Sequence, residues 1–268
     1  MKKLFLIIAL YFIFPIGILV AQETKDEASL LMQLDRDVNK APAEKGIDGW
    51  VAYFAPNGSM LGYTKQPTTG SVKISTIPKE IIWYNQPIDW KVVGNSFTIN
   101  AGKGSRLFID PQHDIYAITA PMALFVPDSN FLFSCKVSVA FKTVFDAGVL
   151  VIYGSNNQWA KLCFEYSPQH KPMIVSVVNN KISDDCNHIA IQENNVFIRI
   201  AGMGNGSYAF HYSFDGKYWN LARYFCLDQK ESLKIGFLSQ SPKGESCEST
   251  FSEIKYSIKK LIDFRNGD

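Results

Sequence analysis

The stretch WAKLCFEY, residues 159–166, holds the residues best suited to do chemistry. On a strand, alternate side chains fall on opposite faces. One face then carries Ala160, Leu162, Phe164 and Tyr166, an ordinary core set. The other carries Trp159, Lys161, Cys163 and Glu165, an indole, an ammonium, a thiol and a carboxylate in one row. That mixture suits a sugar, because aromatic faces stack on apolar ring faces and charged or amide groups take hydroxyls in fixed directions. The alternative is a solvent-side row whose charges satisfy each other, Glu165 with Lys161 or with Arg199.

Other strand-like runs supply neighbours for this row. In FIRIAG (197–202), Ile198 and Ile200 take the inward phase and Arg199 the outward one. In YAFHYSF (208–214), His211 is out of phase with Tyr208, Phe210, Tyr212 and Phe214. Arg223 stands in phase with Trp219, Leu221 and Phe225, and Gln240 alternates with Ser239. If these strands share one concave face, the ligand-binding set is Trp159, Lys161, Glu165, Arg199, His211, Arg223 and Gln240.

Catalysis asks for more. A glycosidase needs two carboxyl groups at a defined separation. Glu165 has no second acid on its own strand, so its partner would be Asp184 or Asp185 of SDDCN (183–187), or Asp146. SDDCN itself reads as a turn in which Asp and Asn bond their own backbone. The other reading is a hard-cation site through Asp184 and Asp185, although EF-hand spacing is lacking. A Cys163 nucleophile with His211 as base requires the two to lie within hydrogen-bond reach. His113, His170, His188 and His211 show no metal-ligand spacing, and neither a phosphate-binding glycine loop nor a serine elbow is present. No cofactor is expected.

The chain opens with Lys2 and Lys3, an apolar run from Leu4 to Val20, and Ala21-Gln22. This is the pattern of a secretory signal peptide, residues 1–21, and predicts export to a periplasmic or extracellular site. Leu19 fits the small-residue rule before the cleavage point poorly, so an uncleaved anchor stays open. Loss of Lys2 and Lys3 brings the net charge from +2 to about zero, which argues against nucleic acid as a partner. After cleavage no membrane contact is expected. Of five cysteines, Cys135 shares the apolar phase of FLFSCKVSVAF, while Cys186 and Cys247 lie in polar stretches and could form a disulfide.

Two segments of different grammar must position these residues. Residues 22–78 read as helical: Leu30, Leu31, Leu34 and Val38 recur at helical spacing and Pro42 breaks the run. From residue 79 to 260, short runs rich in Val, Ile, Phe and Tyr alternate with turn signals such as PDSN, SNNQ, SPQHKP and GNGS. Asp215-Gly216 between two such runs marks a hairpin. The pattern predicts an all-β fold, a sandwich or barrel, preceded by a short helical fragment. Trp83, Trp90 and Trp219 are expected to fill sandwich corners.

The stretch LLMQLDRDVNKAPAEKGIDGWVAYFAPNGSML resembles the opening of a SnoaL-like, nuclear-transport-factor-2-like domain (unknown-function group 4440) over residues 25–70 or so. Such domains are cone-shaped α+β folds. The strands that would complete the cone are missing, so the pocket chemistry of that fold is not carried over. The β region resembles the concanavalin-A-like sandwich family, unknown-function domain 1349 (regulation-of-enolase-protein-like), over residues 80–258. The match rests on an ordered series: WYNQPIDW, GSRLFIDP, APMALFVPDSNFLFSCKV, the run 145–187, FIRIAG, YAFHYSFDGKYWNLARYF and KIGFLSQSPKGESC. The resemblance implies a jelly roll of two antiparallel sheets and no established reaction.

The resulting expectation is an exported module that binds a carbohydrate or similar polyhydroxylated ligand on its concave sheet. The alternatives are a glycan-acting hydrolase using Glu165 with Asp184 or Asp185, and a protein–protein interaction domain without a small ligand.

Overall fold

The structure, a computed structural model, describes residues 72–227 and 233–268. The expected signal peptide and SnoaL-like stretch lie outside the described residues, as does the helical fragment up to residue 71; its last residues, 72–78, are not helical, and Val72 bridges Ile81 instead. Among the described residues the regular elements are all strands. They begin with β1 (Ile82–Tyr84), β2 (Asp89–Val93), β3 (Ser96–Gly102), β4 (Leu107–Ile109), β5 (Tyr116–Ile118), β6 (Met122–Phe125), β7 (Asn130–Val139) and β8 (Ala147–Ser155). They continue with β9 (Gln158–Tyr166), β10 (Pro172–Asn180), β11 (Ile182–Ala190), β12 (Asn195–Met203), β13 (Ser207–Ser213), β14 (Asn220–Cys226), β15 (Lys234–Gln240) and β16 (Ser246–Ser257).

Two antiparallel sheets form a sandwich. The first has the order β1-β6-β15-β8-β9-β10-β11 and the second β14-β13-β12-β7-β16-β3-β2. Alternation builds the core between them. Phe131, Phe133, Cys135, Val137 and Val139 of β7 face Leu150 and Ile152 of β8 and Ala160, Leu162 and Phe164 of β9. Rings interlock across the gap, with Phe133 edge-on to Phe237 at 5.0 Å and Phe125 edge-on to Phe133 at 5.2 Å. Val72, Ile74, Ile77 and Ile81 join the same core, and Leu261 packs on Ala201 and Ala209 of the second sheet. Chain packed into the sandwich therefore extends beyond 79–260 at both ends.

A third, two-stranded ribbon, β4 with β5, lies on the outer face of the first sheet. Leu107, Ile109 and Ile118 of the ribbon cover Val149, Val151, Trp159, Cys163, Val175 and Val177. This explains why AGVLVIYG of β8 is apolar on both faces: both are buried.

Three expectations are corrected here. SDDCN is not a turn but the first half of β11, paired residue by residue with β10. Cys186 is exposed on β11 while Cys247 is buried in the core on β16, and both are free thiols rather than a disulfide. Asp146 is not available for chemistry, since its carboxylate accepts hydrogen bonds from the Lys142 and Thr143 amides and from the Thr143 and Ser241 hydroxyls. It closes the β7–β8 loop. The DGK turn does join β13 to β14, with Gly216 at φ +73° and Asp215 Oδ1 accepting the amides of Lys217 and Tyr218.

Candidate functional site

Of the seven residues expected on one face, six are divided between two and the seventh, Arg223, lies on neither. Trp159, Lys161, Glu165 and Gln240 share the outer face of the first sheet, where Gln240 lies beside Ala147 and Ala147 beside Glu165. Arg199 and His211 sit opposite each other on the outer face of the second sheet. The two faces are the outer surfaces of the sandwich, with both sheets and the core between them. A Cys163–His211 pair is ruled out for the same reason.

Arg223 belongs to neither face, and a β-bulge is the cause. Phe210 is opposite Arg223, but the next residue, His211, is opposite Leu221. The extra residue, Ala222, reverses the parity of β14. Leu221 therefore faces outward while Arg223 and Phe225 turn toward the core side, where Phe225 packs on Phe210 at 4.7 Å. From there Arg223 reaches across the open edge of the sandwich to Asp184 on β11, at 2.8 Å.

The row on β9 is closed to solvent. Trp159 is fully buried and Lys161 is 3% exposed beneath the ribbon. Lys161 Nζ donates to Gln240 Oε1 at 3.1 Å, and Gln240 Nε2 donates to Phe145 O at 3.0 Å and to Glu165 Oε2 at 3.4 Å. Burial pushes the Glu165 carboxyl up to about 7, Lys161 opposing and Asp185 reinforcing the shift. Asp184 and Asp185, adjacent on a strand, point to opposite faces. Asp184 is tied to Arg223, so the two do not form a shared cation cradle. Asp185 lies in register with Lys161 across Val177, on the face of Glu165, and its carboxyl is raised by burial. Among the described residues no group of three or more His, Cys, Asp or Glu side chains is gathered to hold a metal ion.

Arg199 and His211 are covered too. His211 Nε2 meets the carbonyl oxygen of Phe264 at 2.7 Å and Arg199 Nη2 donates to Gly267 O at 2.9 Å. The Arg199 guanidinium lies 4.2 Å from the Trp219 ring centre. Burial lowers the His211 imidazole to about 4, with Arg199 adding to the shift.

One part of the first sheet's outer face remains open, at its β1 end. A groove of about 460 Å³ runs between β1 and the β8–β9 turn. Ile82 and Tyr84 of β1, Leu124 of β6, Tyr153 of β8 and Lys234 of β15 line it, and Asn156 and Asn157 form its wall. Tyr84 and Tyr153 stand 4.9 Å apart, and both hydroxyls donate to Asn156 Oδ1, at 2.9 and 2.5 Å. With its oxygen taken by both hydroxyls, the exposed Asn156 carboxamide has its NH₂ left as a donor. Tyr84 is 36% exposed and Ile82 46%. The buried residues hold this wall in place. Trp159 Nε1 donates to Asn156 O at 3.2 Å, and Asn179 Nδ2 and the Lys181 amide both donate to Asn157 O. Trp159 thus sits behind the groove rather than in it.

The family model for DUF1349, a protein family of unknown function, matches residues 83–259. The chain belongs to this family. The function of the DUF1349 family is unknown, and no curated protein matches the sequence. Among solved structures, a functionally unknown protein from Saccharomyces cerevisiae is similar, with TM-score 0.63 and 18% identity over 68% of this chain and 97% of that one. A mutant of the GH43 protein BlXynB from Bacillus licheniformis aligns at TM-score 0.54 and 16% identity, over 68% of this chain and 37% of its own. The Bacteroides ovatus protein described as Xyloglucan PUL GH43B aligns at TM-score 0.54 and 12% identity, over 77% of this chain and 42% of its own. At these identities the likeness is one of fold. The chain spans less than half the length of the two GH43 proteins.

Proposed function

We propose that this DUF1349 protein is an exported, non-enzymatic module that binds a carbohydrate on the outer face of its first sheet, in the groove at Tyr84. The observation that carries the reading is the groove's composition. An exposed tyrosine ring and Ile82 offer an apolar platform, and Asn156, Asn157 and Lys234 offer directed donors around it. A sugar ring needs that combination. Likeness of fold to part of two GH43 chains is in keeping with it. Against the hydrolase alternative, Asp184 is engaged by Arg223, and Glu165, the acid that Asp185 would pair with, is buried.

Binding of the full chain to a panel of plant, fungal and bacterial glycans tests the proposal, with Tyr84→Ala and Asn156→Ala beside the unaltered protein. Binding that both substitutions weaken is expected. Silence across the panel removes the function, and binding indifferent to both substitutions removes the site. A second reading, an interaction domain without a small ligand, is favoured by the β13–β14 tip, where Phe214 and Tyr218 are 61% and 81% exposed. A silent panel together with a protein partner lost on Tyr218→Ser would establish it.

A further inference from the structure

Residues 261–268 leave β16 and fold onto the outer face of the second sheet without joining its ladder. Their backbone bonds are to one another: the amides of Ile262 and Asp263 donate to Asp268 O, and those of Gly267 and Asp268 to Asp263 O. The segment is a self-contained loop, attached to the sheet through side chains. Leu261 packs on Ala201 and Ala209. Phe264 stacks on Tyr224 with ring centres 4.1 Å apart and planes 20° apart. His211 and Arg199 bond the carbonyls of Phe264 and Gly267. Gly267 fits because it has no side chain: a Cβ there would lie 2.6 Å from Arg199 Nη2 and 2.7 Å from Trp219 Cβ, at φ +84°.

Two polar atoms beneath this loop are buried and unpartnered, Arg199 Nε and His211 Nδ1. The residues that carry them are a register pair on adjacent strands. A carbonyl accepts at His211 Nε2, so Nε2 carries the proton and Nδ1 is bare in the neutral ring. A proton added at Nδ1 would place a second cation beside Arg199 with no acceptor to meet it. Around the imidazole, β12 presents Arg199 and β14 presents Leu221. The loop brings Asp263, Arg265 and Asp268, of which Asp268 acts on Arg199. Among the described residues no carboxylate is bonded to the ring itself.

We infer that residues 261–268 form an acid-released strap, latched by His211 and Arg199, whose departure uncovers the Arg199 guanidinium on Trp219 as an anion-accepting surface. Protonated His211 is disfavoured under the strap and favoured in water, so acid shifts the equilibrium toward the open form. An imidazole at about 4 under the strap and 6.5 outside it gives about a twentyfold shift toward opening between pH 7 and pH 5. The inference is independent of the groove at Tyr84, which is on the other sheet.

Amide exchange of the 259–268 segment in the full chain, corrected for the intrinsic pH dependence of exchange, reads the opening directly. Protection of this segment should fall about twentyfold from pH 7 to pH 5 while β7 and β12 keep theirs. His211→Gln retains a donor toward Phe264 O but takes no proton, and should hold the segment's protection nearly level across that range. Unchanged protection in the unaltered protein overturns the inference, as does an equal fall in His211→Gln. Should His211→Gln already be open at pH 7, the His211 ring resonances of the unaltered protein decide. A titration that coincides with release supports the latch, and a ring that titrates near 6.5 under a still-protected strap overturns it.

Discussion

Lys161 on β9 and Gln240 on β15 meet at 3.1 Å across the outer face of β8, and this bond holds an ammonium that is almost wholly withdrawn from water. Gln240 in turn reaches Glu165, so the amide links the buried cation to the buried acid. Removing the link should cost more than removing the cation. Gln240→Leu leaves an unpaired ammonium and is expected to lower stability by about 2–4 kcal/mol. Lys161→Met keeps the stem's packing and removes the charge to be solvated, so its cost should be smaller, under about 1.5 kcal/mol. Urea denaturation of the two variants checks the order.

Glu165 makes stability depend on pH. Its carboxyl is raised to about 7 in the fold against 4.5 as an ordinary side chain. The folded chain therefore holds a proton that the unfolded chain has released between those values. Stability contributed by that proton is complete below about pH 4.5 and is lost as pH rises through 7, a change of about 3 kcal/mol. Glu165→Gln should flatten the slope between pH 5 and 8 and be the more stable protein at pH 8. A denaturation series across that range in both proteins measures it, and equal slopes would contradict the assignment.

The thiols should divide by burial. Cys186 and Cys226 are exposed, and Cys135, Cys163 and Cys247 are buried. Burial pushes the Cys247 thiol up to about 12 and raises Cys163 and Cys135 as well. A thiol-reactive reagent at pH 8 should titrate the two exposed sulfurs in the native protein and all five in denaturant. Fewer than five in denaturant without reductant would reveal a disulfide.

Much of the sandwich was legible because β7 alternates cleanly between core and exterior, and on β12 and β13 one parity holds the large apolar residues of the core while the other holds Arg199 and His211. The pairing of faces was not legible. Arg199 and Glu165 each stand out of phase with a core set, but parity says only inside or outside, never which of two outsides. Arg223 was misplaced because one bulge at Ala222 reverses every later position of β14, and nothing in LARYF marks it. Burial of the β9 row did leave a trace. AGVLVIYG on β8 and MALF on β6 have no polar parity, which is the signature of strands covered on both faces. The groove was invisible for a different reason. It depends on Tyr84 and Asn156, 72 residues apart, meeting through a hydrogen bond that no local pattern encodes.

Tyr84 and Trp159 should separate binding from stability. Tyr84 is 36% exposed at the groove's rim, so Tyr84→Ala should change stability by less than about 1 kcal/mol. It removes the stacking surface, and glycan affinity should fall roughly threefold to tenfold, the usual worth of one ring contact. Trp159 is fully buried behind the groove, beside Tyr153 on the next strand and with its indole N–H on the Asn156 carbonyl. Trp159→Phe therefore should cost about 1–3 kcal/mol in stability, from the lost hydrogen bond and the space left behind. Its effect on affinity should be the smaller of the two, because the Asn157 carbonyl is still held by Asn179 and by the Lys181 amide. Calorimetric titration and thermal denaturation of both variants measure the split. Were Trp159→Phe to abolish binding while Tyr84→Ala spared it, the ligand would have to sit under the β4–β5 ribbon instead.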